Sequence, residues 1–238
     1  LSDLVNLISA SQHQIISHCN YVTFDQISQD TENKFVILGG KRSELFKFVS
    51  QNKNNNAENL IYEYKNFFKM MIQKQTNHLI NELDKSDLID DKLIGCASII
   101  LVGLCYNDEK KYLSFGVNLL KKISKVALDD KGFPKSRNIK QLIFYLKYFI
   151  LIREWFKESQ KSIPENIDET IFYLGQGYTF IWQNIKSDIL YNGNNISENV
   201  NFDNYLKRLG YKFKNENHDF GGYFILKNKK ICLTMDAG

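Results

Sequence analysis

Apolar residues recur at helical spacing through most of this chain, and the places where that spacing breaks mark its organisation. Leu4, Val5, Leu7, Ile8, Ile15 and Ile16 predict an opening helix, after which 34–40 fits a short strand or a turn equally well. The Asn/Lys-rich stretch 51–56 reads as a loop. From Ala57 the pattern strengthens. A long amphipathic helix follows through Leu60, Ile61, Tyr64, Phe67, Phe68, Met71, Ile72, Leu79 and Leu83. Asp87 or Asp90 is placed to cap a second helix running through Gly103, and Asp108 a third through Leu113, Val117, Leu120 and Ile123.

The polar run Asp129-Asp-Lys-Gly-Phe-Pro-Lys-Ser-Arg-Asn138 interrupts the helices. The next helix, 139–159, is apolar nearly all round and must lie between neighbours. Pro164 suits the first turn of a further helix ending near Asn184. Beyond Asn192-Gly193-Asn-Asn195 the texture changes. Tyr211-Lys-Phe-Lys214 alternates, and Gly221-Gly222 precedes Tyr223-Phe-Ile-Leu226; with 231–235 these predict antiparallel strands and a β-hairpin. Helix starts near 57, 87, 109, 139 and 164 suggest stacked helical hairpins, without the period of a TPR, HEAT or ankyrin array.

Composition narrows the class. The 238 residues are 43 % hydrophobic, enough to bury a substantial core and too apolar for a disordered chain. With 31 Lys+Arg against 27 Asp+Glu the net charge is +4, a weak footprint for nucleic acid, and no RNA- or DNA-reading motif accompanies it. The run 93–105 is shorter than the roughly 20 residues that span a bilayer and reads as a buried helix. Cys19, Cys96, Cys105 and Cys232 stand far apart and outside ligand spacings; buried free thiols are expected, with a disulfide left open. His13, His18, His78 and His218 do not pair at metal-binding spacing. The start at Leu1 and the apolar run up to Gly238 give the expectation of a fragment cut inside a second domain.

The order of motifs from 91 to 238 resembles the heparinase II/III-like proteins of bacteria. It is carried by Ile99-Ile-Leu-Val-Gly-Leu-Cys105, Asp130-Lys-Gly-Phe-Pro-Lys-Ser-Arg-Asn138, Leu190-Tyr-Asn-Gly193, Gly222-Tyr-Phe-Ile-Leu226 and Met235-Asp-Ala-Gly238. The resemblance implies a mainly α fold: an incomplete α/α toroid of antiparallel helix pairs, followed by the first strands of an antiparallel β-sandwich. The corresponding division is an N-terminal helical segment at 1–56, toroid helices at 57–195, and a linker with the start of the sandwich at 196–238. It also implies a periplasmic or cell-envelope location, although no signal peptide is visible.

The implied activity is cleavage of an acidic, uronate-containing polysaccharide by β-elimination. That reaction requires a neutralised carboxylate beside the abstracted proton and groups that take and give protons. By resemblance Asn138, with Arg137, neutralises the carboxylate, and Tyr191, 53 residues later, acts as acid or base. Lys135, Asn192 and Trp182 would bind substrate. No cofactor is implied within these residues; a divalent metal is compatible with the part of the β-domain beyond them. Simpler readings stand beside these: Arg137-Asn138 suits a helix cap, and Tyr191-Asn-Gly193 suits a turn.

One departure from the pattern stands out. Relatives of this type carry a histidine in Gly-Gly-His where this chain has Gly132-Phe133-Pro134, and proline cannot transfer a proton. The alternative is therefore a non-catalytic α-helical scaffold that binds a glycan or protein. Lys121, Lys122, Lys125, Lys131, Lys135, Arg137 and Lys140 form a basic collar that suits an anionic glycan, or an ordinary solvated surface. Trp155, Trp182, Tyr145, Tyr148 and Tyr178 suit sugar stacking, or the core. Oligomeric state is left open.

Overall fold

In the computed structural model the described residues are 57–106, 110–185, 199–214, 219–228 and 231–238. Two compact units divide the chain, Leu1–Lys85 and Ser86–Gly238. In the first, α1 (Ala57–Leu83) matches the long helix read from the sequence. The second holds α2 (Ile89–Cys105), α3 (Lys110–Ala127), α4 (Ile139–Glu158), α5 (Glu165–Ile185) and α6 (Asn199–Arg208), then β1 (Asp219–Phe220), β2 (Tyr223–Lys227) and β3 (Cys232–Asp236). The chain is thus mainly helical with a small antiparallel sheet. Among the described residues no helix is long and apolar enough to cross a membrane.

Neighbouring helices pack in sequence: α2 against α3, α4 against α5, and α2 against α4. Close approach of α2 and α3 depends on a missing side chain. A Cβ on Gly103 would lie 2.5 Å from the backbone nitrogen of Leu113, so the helices meet backbone to backbone. On α4, Ile139, Leu142, Tyr145, Leu146, Phe149, Ile150, Ile152 and Phe156 are buried, as an all-round apolar helix between neighbours requires. Cys96 is buried in the same core, and loss of hydration pushes its thiol up to about 12, which keeps it protonated and inert. Cys105 and Cys232 are free but exposed, contrary to the expectation of burial; Cys19 lies outside the described residues.

Three local expectations are corrected. Neither Asp87 nor Asp90 caps α2: Leu88 occupies the cap position without a side-chain bond, and Ser86 Oγ accepts from Leu88 N at 3.2 Å instead. The alternating residues 211–214 form no strand, because Tyr211 and Phe213 turn onto the helical core rather than pairing. The helix α6 was not expected at all, although Phe202, Tyr205, Leu206 and Leu209 stand at i, i+3, i+4 and i+7 and face the core. Asp108 lies outside the described residues.

Helices α4 and α6 end in the same hydrogen-bond motif with different residues at its left-handed position. After α6, Gly210 at φ 79° lets Gly210 N donate to Lys207 O (3.1 Å) and Tyr211 N to Leu206 O (3.0 Å). After α4, Gln160 takes that position at φ 55°, with Gln160 N on Lys157 O (3.0 Å) and Lys161 N on Phe156 O (3.1 Å). A side chain there costs about 1 kcal/mol.

The sheet order is β1-β2-β3, all antiparallel, with Phe224 opposite Met235 and Leu226 opposite Leu233. Its inner face, Tyr223 and Ile225, is buried in the helical core, while Phe224, Leu226, Leu233 and Met235 are exposed on the other. The turn between β1 and β2 is Gly221-Gly222, at φ 59° and 79°. A Cβ on Gly221 would come within 2.3 Å of the Phe133 ring.

Two substitutions test these points by urea unfolding. Gln160→Gly should stabilise the chain by about 1 kcal/mol, since only backbone strain is relieved. Gly221→Ala should destabilise it by about 2–4 kcal/mol, combining left-handed strain with overpacking against Phe133.

Candidate functional site

The segment between α3 and α4 folds around one carboxylate. Asp129 Oδ1 accepts from Lys131 N at 2.9 Å and from Phe133 N at 2.8 Å, and Asp129 N donates to Phe133 O at 2.8 Å. An Asp that caps its own loop in this way closes a compact turn. It buries Phe133 completely and brings Pro134 into an isolated bridge with Leu128. Gly132, at φ 75°, lies under Tyr173 of α5, where a Cβ would come within 2.4 Å of the Tyr173 side chain.

From Pro134 the chain rises to the start of α4. Arg137 N donates to Pro134 O at 2.8 Å, which turns Arg137 into the left-handed region at φ 59°. Asn138 is then the N-cap, its Oδ1 accepting from Lys140 N at 2.9 Å. The cap uses the acceptor end of the amide, and Nδ2 makes no hydrogen bond among the described residues. A polar relay steadies this corner: Ser136 Oγ accepts from Asn138 N (3.2 Å) and meets Gln141 Oε1 at 2.5 Å, while Gln141 Nε2 donates to both oxygens of Asp90 at 3.1 and 3.2 Å. Burial, together with the nearby Asp90 charge and its hydrogen bond, pushes the Tyr145 phenol upward, so it stays a neutral donor.

Arg137 also reaches the sheet. Its guanidinium pairs with Asp236 at the end of β3 and lies over the Tyr223 ring, 5.3 Å from the centroid. Tyr223 Oη donates to Arg137 O at 2.7 Å. Helix start and hairpin are therefore joined at one residue.

Of the residues singled out from the sequence, Arg137 and Asn138 are adjacent at this corner. Lys135 is exposed, and its Nζ donates to Lys125 O at the end of α3, 3.0 Å away. Trp182 lies on α5, with its side chain outside the described residues; Tyr191 and Asn192 lie outside them as well. The collar lysines Lys121, Lys122, Lys125, Lys131, Lys135 and Lys140 are all exposed. Tyr145 and Tyr178 are buried core residues, while Tyr148 and Trp155 are half-buried. Among the described residues no group of three or more His, Cys, Asp or Glu side chains is placed to hold a metal ion.

Sequence reasoning passed over Asp90, Ser136, Gln141, Tyr223 and Asp236 as members of the corner. Gln141 carried a signal: it stands three residues after the Asn138 cap, where a Gln or Glu completes a capping pattern. Tyr223 and Asp236 carried none, because their pairing with Arg137 is long-range.

A second polar cluster ties α4, α5 and the segment after α6 together. Arg153 donates to Asp168 Oδ1 at 2.5 Å and to Tyr211 Oη at 3.3 Å, and Tyr211 Oη donates to Glu154 Oε1 at 2.8 Å. Burial opposes ionisation of Glu154, but hydrogen bonds from Lys157, Tyr211 and Arg153 outweigh it and hold the carboxyl below its ordinary value. Burial and the bond to Glu154 push the Tyr211 phenol up.

No family model, curated protein or solved structure matches this chain.

The sign of the Glu154 contribution follows from its lowered value. Its stabilisation is complete above the ordinary Glu value of 4.5 and disappears as pH falls through the lower folded value. Urea midpoints of wild type and Glu154→Gln should therefore differ at neutral pH and converge in acid, the wild type losing stability more steeply.

Proposed function

We propose that this chain belongs to a heparinase II/III-like protein that cleaves an acidic, uronate-containing polysaccharide by β-elimination. The reading is supported by the corner at the start of α4, where the Asn138 amide caps the helix through Oδ1, its Nδ2 makes no hydrogen bond among the described residues, and Arg137 directly precedes it. The positive end of the α4 dipole adds to the same field. Exposed lysines around the corner suit an extended anionic chain, which a focused positive potential draws in.

The chemistry assigned to these residues is specific. The proton beside a uronate carboxylate becomes removable only when the developing enolate is met by donors, and Asn138 Nδ2 and Arg137 would supply them. Tyr191 would exchange protons with the sugar, in keeping with the phenol required by this type of elimination. The toroid and sandwich architecture, the envelope location and substrate contacts of Lys135, Asn192 and Trp182 belong to the same proposal. A divalent metal, if used, belongs to groups outside the described residues.

A second reading is favoured by Pro134. It is buried, bridges Leu128, and stands where the resembled proteins carry a histidine, so no proton passes through that position. On this reading the protein binds an acidic glycan, or another protein, without cutting it.

Incubation of the full chain with heparan sulfate, alginate, chondroitin and polygalacturonate distinguishes the two. Lyase activity produces an unsaturated product with new ultraviolet absorbance; binding without any absorbance gain on any polymer supports the scaffold and removes the lyase. If activity is present, Asn138→Ala should lower kcat by about 10²–10³-fold, the usual cost of losing one donor to a developing oxyanion. Loss of the cap alone costs about 1 kcal/mol of stability, which leaves the protein folded for the assay.

A further inference from the structure

Helix α3 carries charge out of proportion to its length. Its 18 residues include five lysines, at 110, 111, 121, 122 and 125, and no Asp or Glu. Without those five the chain's 31 basic residues become 26 against 27 acidic ones, so the net positive charge of the protein resides in this one helix. One face of α3 is already used. Tyr112, Gly116, Leu120, Ile123 and Ala127 are buried, and a Cβ on Gly116 would lie 2.6 Å from Cγ1 of Ile100 on α2.

The opposite face is turned to solvent. Lys111, Phe115, Lys122 and Val126 stand at i, i+4, i+7 and i+11 in one row, with Lys121 and Lys125 beside it, and all six are exposed. Phe115 is 39 % and Val126 60 % exposed, large values for apolar side chains on a helix that already buries a full stripe. At 1.5 Å per residue the two lie about 16 Å apart along the axis, far enough to act as separate anchors. Among the described residues Lys121, Lys122 and Lys125 make no ion pair.

This mixture selects among anionic partners. A polyanion in solution engages the lysines and offers nothing apolar to Phe115 and Val126. A protein interface would cover the two apolar side chains at the expense of burying Lys122 between them, and lysine is depleted from the cores of such interfaces. A bilayer surface accommodates both kinds of residue at once. Apolar side chains enter the acyl boundary, while each lysine lays its stem alongside and raises its ammonium to the headgroup phosphates.

We propose that the outer face of α3 docks the folded protein on an anionic lipid bilayer, with Phe115 and Val126 inserted and Lys111, Lys121, Lys122 and Lys125 on the headgroups. No element has to span the bilayer or leave the core, because the inner face of α3 stays on α2. The inference goes beyond the polysaccharide reading and does not rest on it: Lys131, Lys135 and Lys140 belong to the corner at α4, outside this row. Each lysine near an anionic membrane surface strengthens binding about fivefold, and salt weakens the attraction by screening it.

Cosedimentation of the full chain with vesicles tests the idea. Binding is expected to vesicles of phosphatidylglycerol and phosphatidylcholine in equal parts, not to phosphatidylcholine alone, and it should fall as salt is raised. Lys121→Gln, Lys122→Gln and Lys125→Gln together should weaken it about a hundredfold, whereas the same three positions changed to Arg should retain it. Phe115→Ser with Val126→Ser should weaken binding at unchanged charge, and the tryptophan of Phe115→Trp should shift its emission to the blue on the mixed vesicles alone. Thermal midpoints equal to wild type show that these surface variants remain folded. No binding to the mixed vesicles, equal binding to both kinds, or binding untouched by the glutamine exchanges overturns the inference. Displacement from the vesicles by soluble alginate, with no emission shift in Phe115→Trp, makes the face a polyanion site and removes the lipid.

Discussion

One buried ring holds the second unit together. Phe133 is fully enclosed, with Phe220 5.7 Å away in an edge-on arrangement and Tyr223 at 6.0 Å. Gly177 of α5 leaves the space for it on one side and Gly221 of the hairpin on the other. Burying such a ring contributes roughly 2–3 kcal/mol by area alone. Its geometric role is larger than its area. It sits between α3 and α4, touches α5, and is the surface on which the sheet rests, so each contact at the Arg137 corner presupposes it.

That placement explains why a polar decapeptide is an ordered joint. Asp129 supplies acceptors for the backbone of its own turn, Pro134 removes a donor where the chain passes inward, and Ser136, Gln141 and Asp90 complete the bonding up to α4. The two aromatic-bearing arms of the sheet then lie against the joint, and the guanidinium of Arg137 bridges it to β3. Rigidity here comes from hydrogen bonds arranged around an apolar centre, the combination that fixes side-chain direction most firmly.

The helices were legible because they are long and amphipathic or wholly apolar: α1, α4 and α5 appear within a residue or two of their expected ends. The hairpin at 223–236 was legible from paired glycines and β-branched or aromatic flanks. Errors arose where a short pattern had two physical outcomes. Tyr211-Lys-Phe-Lys214 alternates like a strand, yet Tyr211 is drawn to Glu154 and Arg153 and Phe213 packs against Gly175. At the site, Asn138 as a cap could be read locally. Asp236 could not, because nothing near it in sequence announces a partner on the far side of three helices. Lys135, expected at a substrate, instead satisfies a carbonyl at the end of α3, a role that becomes visible only once the helix end is located.

The joint also sets an order of assembly. Asp129 and Phe133 close their turn across four residues, whereas the bond from Tyr223 to Arg137 spans 86. For a flexible chain, closing a span of that length costs roughly 4 kcal/mol of entropy, against about 1 kcal/mol for the short turn. The helical layer can therefore reach its final arrangement with its Phe133 face still open, and the sheet joins a surface already made. Opening runs the same course in reverse: the strands can lift from the helices as a unit while α2 to α5 stay packed, so amide exchange in β2 and β3 reports a smaller free energy than exchange in α4.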